Sequence, residues 1–475
     1  MTPATPALPA PAFGSGTLSA ETDTGNNYMV AYNHVFSPTF IASTKVAWNR
    51  LYTAIEPPYV FYNQELGLQG VATTIPGMAQ FTVSGYSNIG LSAQLPNLIG
   101  SQDRQLISDF TWIHGKHTVK WGINLSWLQS SLINPQNAQG LFTFNGNFTR
   151  DPKAGKQGNA VADLLLGAVY QGQTSTWAYM NQRAPFYDFY GLDEWKVTAR
   201  LTLDLGLRYE AHLPWVETRN LWANFDIDTD PANPSLVLAK NGSRADRATI
   251  QPDLNDFAPR FGFAYQLTNK TVLRGGYGIY YAQYEGFGGA QYLEVNPPFE
   301  YKSVLTTDSV TPIVLSQGLP PNLLSPQNAS NIQTSSYDRN LRQGYAQQWS
   351  YSVQRQLPGD MLLEVGYYAN SAHKLMRRTE GNWALPKPGN VNSNRRYHSI
   401  AVPPSGVVVG PLAGTYRQQA DVNSNFNSLQ VKVEKRLAHG LSFLGSYMFS
   451  KTISDGRGES GSGGVVNGLP QNPLN

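Results

Sequence analysis

The sequence predicts an all-β fold, an antiparallel transmembrane β-barrel, as a partial wall of about 14 strands. Three observations predict it. Apolar and polar residues alternate with period two in one segment after another, and residues two apart in a strand share a face. The segments run about 10–13 residues, close to what a tilted strand needs to cross a bilayer. Tight turns join them in pairs, while long irregular stretches join the pairs to each other, a pattern of short turns at one rim and long loops at the other.

In chain order, 28–36 and 39–52 form a first hairpin around Ser37-Pro38, and 104–113 joins 117–128 through His114-Gly115-Lys116. Segments 140–149 and 170–181 read as another pair, with one short helical turn at VADLLLG between them. The next hairpin is 184–197 and 200–211, turning at Thr198-Ala199. Thr268-Asn269 joins 258–267 to 270–283, and Pro358-Gly359 joins 345–357 to 360–370. Ala438-His439-Gly440 joins 424–437 to 441–452. The connecting stretches 53–103, 212–257, 284–344 and 371–423 are longer than structureless loops of compact soluble domains. The expected organisation is therefore a loop start over 1–27, barrel over 28–455 and a polar tail over 456–475.

Alternation gives each strand an oily and a wet face. Leu201, Leu203, Leu205, Leu207 and Tyr209 oppose Thr202, Asp204, Gly206, Arg208 and Glu210. Lys120, Arg208, Arg274, Lys432 and Glu434 fall on the wet face and are expected to line a lumen. Tyr52, Trp112, Trp127, Phe186, Tyr187, Tyr190, Trp195, Tyr280, Tyr281 and Trp349 crowd the strand ends, which suits aromatic girdles at the two membrane interfaces.

Composition excludes several function classes. Charged residues are 14% of the 475, against a norm of about 25%, and aromatics are 12%. A weakly charged, Tyr-rich surface points to a second solvent or a partner rather than to water alone. The net charge of +3 is too balanced to argue for nucleic acid. With no Cys there is no disulfide scaffold, thiolate metal site or Cys nucleophile. No cofactor is indicated.

Chemistry-bearing motifs are thin. His114 and His117 flank a tight turn and lack a third ligand. Asp226, Asp228 and Asp230 form D-x-D-x-D, a weak Ca²⁺ candidate, because Pro231 stands where a Gly is expected and Val237 where a Glu is needed. Gly275-Gly276-Tyr277-Gly278 lies inside an alternating strand and opens no helix, so it relieves crowding in the wall rather than cradling phosphates. Asp193 and Glu194 are adjacent and must face opposite sides. No catalytic residues are nominated.

Five hairpins carry a family resemblance. FYGLDEWKVTARLTLDLGLRYE (189–210) resembles a hairpin of TonB-dependent receptors, most closely the Oar-like group with carboxypeptidase-regulatory-like domains. ISDFTWIHGKHTVKWGINLSW (107–127), NDFAPRFGFAYQLTNKTVLRGGYGIYY (255–281), QQWSYSVQRQLPGDMLLEVGYYANSAHKL (347–375) and NFNSLQVKVEKRLAHGLSFLGSYMFSKTISD (425–455) are similar to other hairpins of that barrel, in collinear order. The resemblance implies a Gram-negative outer-membrane location, periplasmic turns, extracellular loops, lipid around the wall, and import of a siderophore, oligosaccharide or peptide driven through TonB. Barrels of that family have about 22 strands and a plug that meets TonB, so this chain is expected to be an internal stretch of barrel without plug or TonB box. Outer loops are where such receptors capture ligand. Tyr284, Phe287, Tyr292, Phe299 and Tyr301, set among Asn and Gln, are the ligand-binding candidates. The alternatives are a passive porin or adhesin-like barrel and a soluble glycan-binding β protein. A glycosidase would need a carboxylate pair that the sequence does not nominate.

Overall fold

The computed structural model describes residues 20–56, 63–90, 92, 95–151, 153, 155, 157–282, 293–308, 310–438, 440–456 and 466–467. Twelve long strands build one wall. They are β1 (Ala20–Ser37), β2 (Phe40–Glu56), β3 (Asn97–His114), β4 (His117–Ile133), β5 (Met180–Lys196) and β6 (Leu201–His212). The wall continues with β7 (Asp256–Thr268), β8 (Thr271–Tyr281), β9 (Tyr345–Leu357), β10 (Met361–Glu380), β11 (Leu412–Ala438) and β12 (Leu441–Ser454). Each pairs antiparallel with the next, so spatial order equals chain order. Three short strands join them in a 15-stranded sheet: Val216–Glu217 beside β5, Ile332–Tyr337 parallel to β11, and Val466–Asn467 parallel to β10. Among the described residues β1 and β12 do not pair, and the sheet is open.

The odd–even pairing puts six short turns at one rim and five long connections at the other. The turns use residues that tolerate them: Gly115 and Gly359 take φ of 57° and 76°, left-handed values that a Cβ disfavours. No helix among the described residues is long and apolar enough to cross a membrane.

Register fixes the two faces. Tyr351, Tyr367, Leu429 and Phe449 lie in one cross-strand row over β9–β12, and all four are exposed outward. In water such a row is a liability. Against lipid the exposed apolar part of each side chain is taken out of water, at roughly 25 cal/mol per Å². An inner row three residues along is Gln354, Glu364, Lys432 and Ser446, with a Gln354 Nε2 to Glu364 Oε2 hydrogen bond of 3.1 Å. Lys120, Arg208, Arg274, Lys432 and Glu434 all carry the inner parity.

Three expectations change. Phe186, Tyr190 and Tyr280 do not join the girdle. Phe186 is 2% exposed under the loops, Tyr190 donates to Asp109 Oδ1 at 2.7 Å, and Tyr280 lies 4.6 Å from the Arg260 guanidinium. Each shares its face with inner residues two positions away, so it cannot face lipid as Tyr187 and Tyr281 do. The pair 140–149 and 170–181 forms, but outside the wall. Leu141–Phe144 and Gln171–Ser175 belong to a separate four-stranded sheet with Gln80–Val83 and Lys302–Thr306. Its Phe142 and Phe144 are fully buried with Phe81 and Leu319 in a closed core. The long connections are therefore folded. A second loop core gathers Phe225, Ile332, Ile400 and Leu412, and a third packs Trp222, Leu293 and Tyr337 on the inner residues Met180, Ala184 and Phe186.

The glycines behave as the sequence suggested, at particular positions. A Cβ on Gly275 would sit 2.4 Å from the Phe263 ring, and one on Gly366 2.6 Å from the Tyr368 ring. Rings folded over glycines fill the pleat where bulkier pairs would clash.

Candidate functional site

The outer ends of the strands and the folded loops enclose two features with chemistry. The first is an ion-pair net on the inner face of β5 and β6. Register sets Glu210 opposite Asp188 and His212 opposite Phe186. Arg208 spans both carboxylates: Nη2 is 2.7 Å from Asp188 Oδ2 and Nε is 2.7 Å from Glu210 Oε1. The other Asp188 oxygen lies 2.9 Å from His212 Nε2. Gln343 Nε2 donates to Ala282 O at 2.6 Å and stands 2.9 Å from His212 Nδ1. An amide nitrogen only donates, so Nδ1 accepts and Nε2–H donates to Asp188. Beside it, Arg342 pairs with Asp253 at 2.7 Å.

Asp188, Glu210 and His212 are the only group of three metal-type ligands among the described residues, with ligand atoms within 4.8 Å of one another. The donor set does not suit a metal. Arg208 already pairs with both carboxylates, and the histidine nitrogen facing them carries its proton. The net is a buried polar strut that joins wall to loops.

The second feature is a partly enclosed cavity of about 380 Å³ at the outer rim. Leu132 and Met180 contribute from β4 and β5, Arg378 and Tyr416 from β10 and β11, and Glu294, Phe299, Glu300 and Lys302 from the β8–β9 connection. Arg378 lies 4.8 Å from the Tyr416 ring centre, a cation–π contact. Burial pushes the Glu294 carboxyl well above its usual range, and the nearby Glu300 adds to the effect. Burial pushes Glu300 up to about 8 against the pull of Lys302, and lowers the Lys302 ammonium. A second, more open cavity of about 700 Å³ lies along the inner wall beside Asp204, Arg260, Tyr280, Ser350 and Tyr368.

Of the sequence-derived ligand candidates, Tyr284, Phe287 and Tyr292 lie outside the described residues. Phe299 and Tyr301 are half-buried against the second loop core, and Phe299 also lines the 380 Å³ cavity. The three Asp of D-x-D-x-D do not converge. Asp226 accepts from Thr229 N and Oγ1, Asp228 pairs with Arg417, and Asp230 accepts from the backbone N–H of Ala232 and Asn233. Sequence reasoning missed Asp188, Glu210 and His212, although strand parity alone puts them on one face. It also missed Glu294, Glu300 and Lys302, which carry no local signal because tertiary folding of the loop brings them together.

A model of the outer membrane beta barrel domain matches residues 2–475. The chain belongs to that family. This barrel sits in the outer membrane of a Gram-negative cell, with its short turns periplasmic and its folded loops extracellular. No curated protein matches its sequence. Among solved structures it is similar to the outer membrane transporter YddB from Escherichia coli, with 10% identity and a TM-score of 0.47, covering 92% of this chain and 43% of that one. It is also similar to the pyoverdine outer membrane receptor FpvA from Pseudomonas aeruginosa, with 11% identity, TM-score 0.44, and 94% and 46% covered. The copper transporter OprC matches with 8% identity, TM-score 0.45, and 92% and 48% covered. The barrel chain thus spans less than half the length of each.

Proposed function

We propose that the chain forms wall and outer cap of a non-enzymatic TonB-dependent receptor of the Oar-like group, which captures a bulky ligand on its extracellular loops and passes it inward. The single observation that carries this is the folded cap: five long connections converge over the inner face of the wall, with their own apolar cores and a polar cavity between cap and wall. A passive pore gains nothing from closing its mouth with packed loops. A capture site needs a mouth rigid enough to hold its contacts in place. The five collinear hairpin motifs support the TonB-dependent assignment, and the siderophore, oligosaccharide and peptide classes all suit such a mouth.

The test is uptake in a Gram-negative host with and without TonB, using a ferric siderophore, a maltodextrin and an oligopeptide as probes. The expected result is a heat-modifiable band in the outer-membrane fraction and uptake of one probe class that requires TonB. Recovery in the soluble fraction, or probe entry indifferent to TonB, would overturn the reading.

A further inference from the structure

The rim cavity holds two acceptors that no described residue satisfies. Glu294 Oε2 and Asn134 Oδ1 are buried, line the cavity, and have no hydrogen-bond partner among the described residues. Buried acceptors without donors are rare and costly, so a pair of them in one polar cavity asks for a ligand that brings N–H or O–H groups. A carboxyl can supply its own proton when empty. An amide oxygen cannot, so Asn134 needs an outside donor whatever the pH.

Charge narrows the class. Glu294, Glu300, Lys302 and Arg378 line the cavity. Arg378 is held over the Tyr416 ring and Lys302 acts on Glu300, so the carboxyl left as the principal anchor for a ligand is Glu294, which favours a cation over an anion. Size and lining narrow it further. A bare hard cation wants a tight shell of oxygens, whereas 380 Å³ lies within the roughly 300–1,000 Å³ usual for small organic ligands, and Leu132, Met180 and Phe299 offer an apolar side.

We propose that this cavity binds a compact organic ammonium carried on a hydroxylated frame, the chemistry of an amino sugar, with Glu294 and Glu300 taking the ammonium and Asn134 a hydroxyl. This deepens the capture reading above by naming a ligand class for its mouth. Because the empty cavity favours protonated carboxyls, seating an ammonium re-ionises them and releases protons to solvent.

Isothermal titration of the purified full chain, folded in detergent, with glucosamine and with glucose tests this without cells or TonB. Loss of import therefore leaves the result standing, and failure here leaves the import test standing. Glucosamine is expected to bind at least tenfold tighter than glucose at pH 7. Heats that differ between phosphate and Tris buffers would report the proton release, and binding should weaken at pH 5. Glu294→Gln should lose tenfold or more in affinity, while Lys302→Gln should tighten binding by freeing Glu300. A heat-shifted band on a gel verifies folding of each variant, with Glu300→Gln standing in if Glu294→Gln does not fold. Equal affinity for glucose, no binding of glucosamine, or indifference to both carboxyl changes overturns the proposal.

Discussion

Adjacent residues at the middle of β9 test the two-solvent wall directly. Tyr351 is the seventh of the 13 residues in Tyr345–Leu357, is 47% exposed, and registers with Gly275 on one side and Tyr367 on the other, in the outward row. Ser350 registers with Gly276 and Tyr368 and lines the 700 Å³ inner cavity. An Arg on the lipid face at the bilayer midplane costs about 2–4 kcal/mol, or about 30- to 900-fold in the folding equilibrium. On the inner face the same side chain finds room and the Asp204 carboxylate among the cavity's walls, so its cost stays within about 0.5 kcal/mol. Tyr351→Arg and Ser350→Arg should therefore differ by at least tenfold, although the residues are neighbours. The assay is guanidinium unfolding from lipid vesicles, followed by tryptophan fluorescence, with gel mobility before and after heating to verify insertion. Equal costs, or a larger cost at Ser350, would refute the assignment of faces.

Three other outcomes follow from the structure. Arg208→Met should cost about 3 kcal/mol by leaving the Asp188 and Glu210 carboxylates buried without a counter-charge, and the triple change with Asp188→Asn and Glu210→Gln should recover most of it in the same unfolding assay. The Glu300 carboxyl ionises near 4.5 in a freely solvated loop but near 8 in the cap, so the folded cap holds the proton more tightly. The stability that Glu300 contributes is therefore fully present below about pH 4.5 and is lost as pH rises toward 8. Protease clipping at 293–306 should accelerate over that window, and Glu300→Gln should flatten the trend. Gly366→Ala puts a Cβ 2.6 Å from the Tyr368 ring and should cost about 1–3 kcal/mol, while Gly445→Ala, with nothing within 4 Å, should be neutral by the same unfolding midpoint.

The wall was legible in the sequence because its physics is local. Period two and turn residues such as Gly115 and Gly359 specify the turn ends of β3 to β12 closely, and register then follows from the turns. The outer ends run on past the segments read from sequence: β3 begins at Asn97 rather than 104, β10 ends at Glu380 rather than 370, and β11 begins at Leu412 rather than 424. Alternation is silent about which solvent covers the apolar side. Leu141–Phe144 shows the same pattern as a wall strand, yet its phenylalanines close a core with Phe81 rather than meet lipid. Parity also corrects the girdle, since Phe186 and Tyr187 cannot share a face. The candidate site was far less legible. Asp188, Glu210 and His212 were accessible through parity, but Glu294, Glu300, Lys302 and Asn134 come from connections with no periodicity, and only the folded cap makes them neighbours.

The cap owes its cohesion to water and the wall owes its own to oil. Phe142, Phe225 and Trp222 are buried inside the cap, while Tyr351, Leu429 and Phe449 keep much of their surface uncovered by protein. A detergent that satisfies the second group does nothing for the first, and a dilute denaturant that loosens the first leaves the second in place. Selection can thus rework the mouth of this molecule, residue by residue, without renegotiating how it holds on to its membrane.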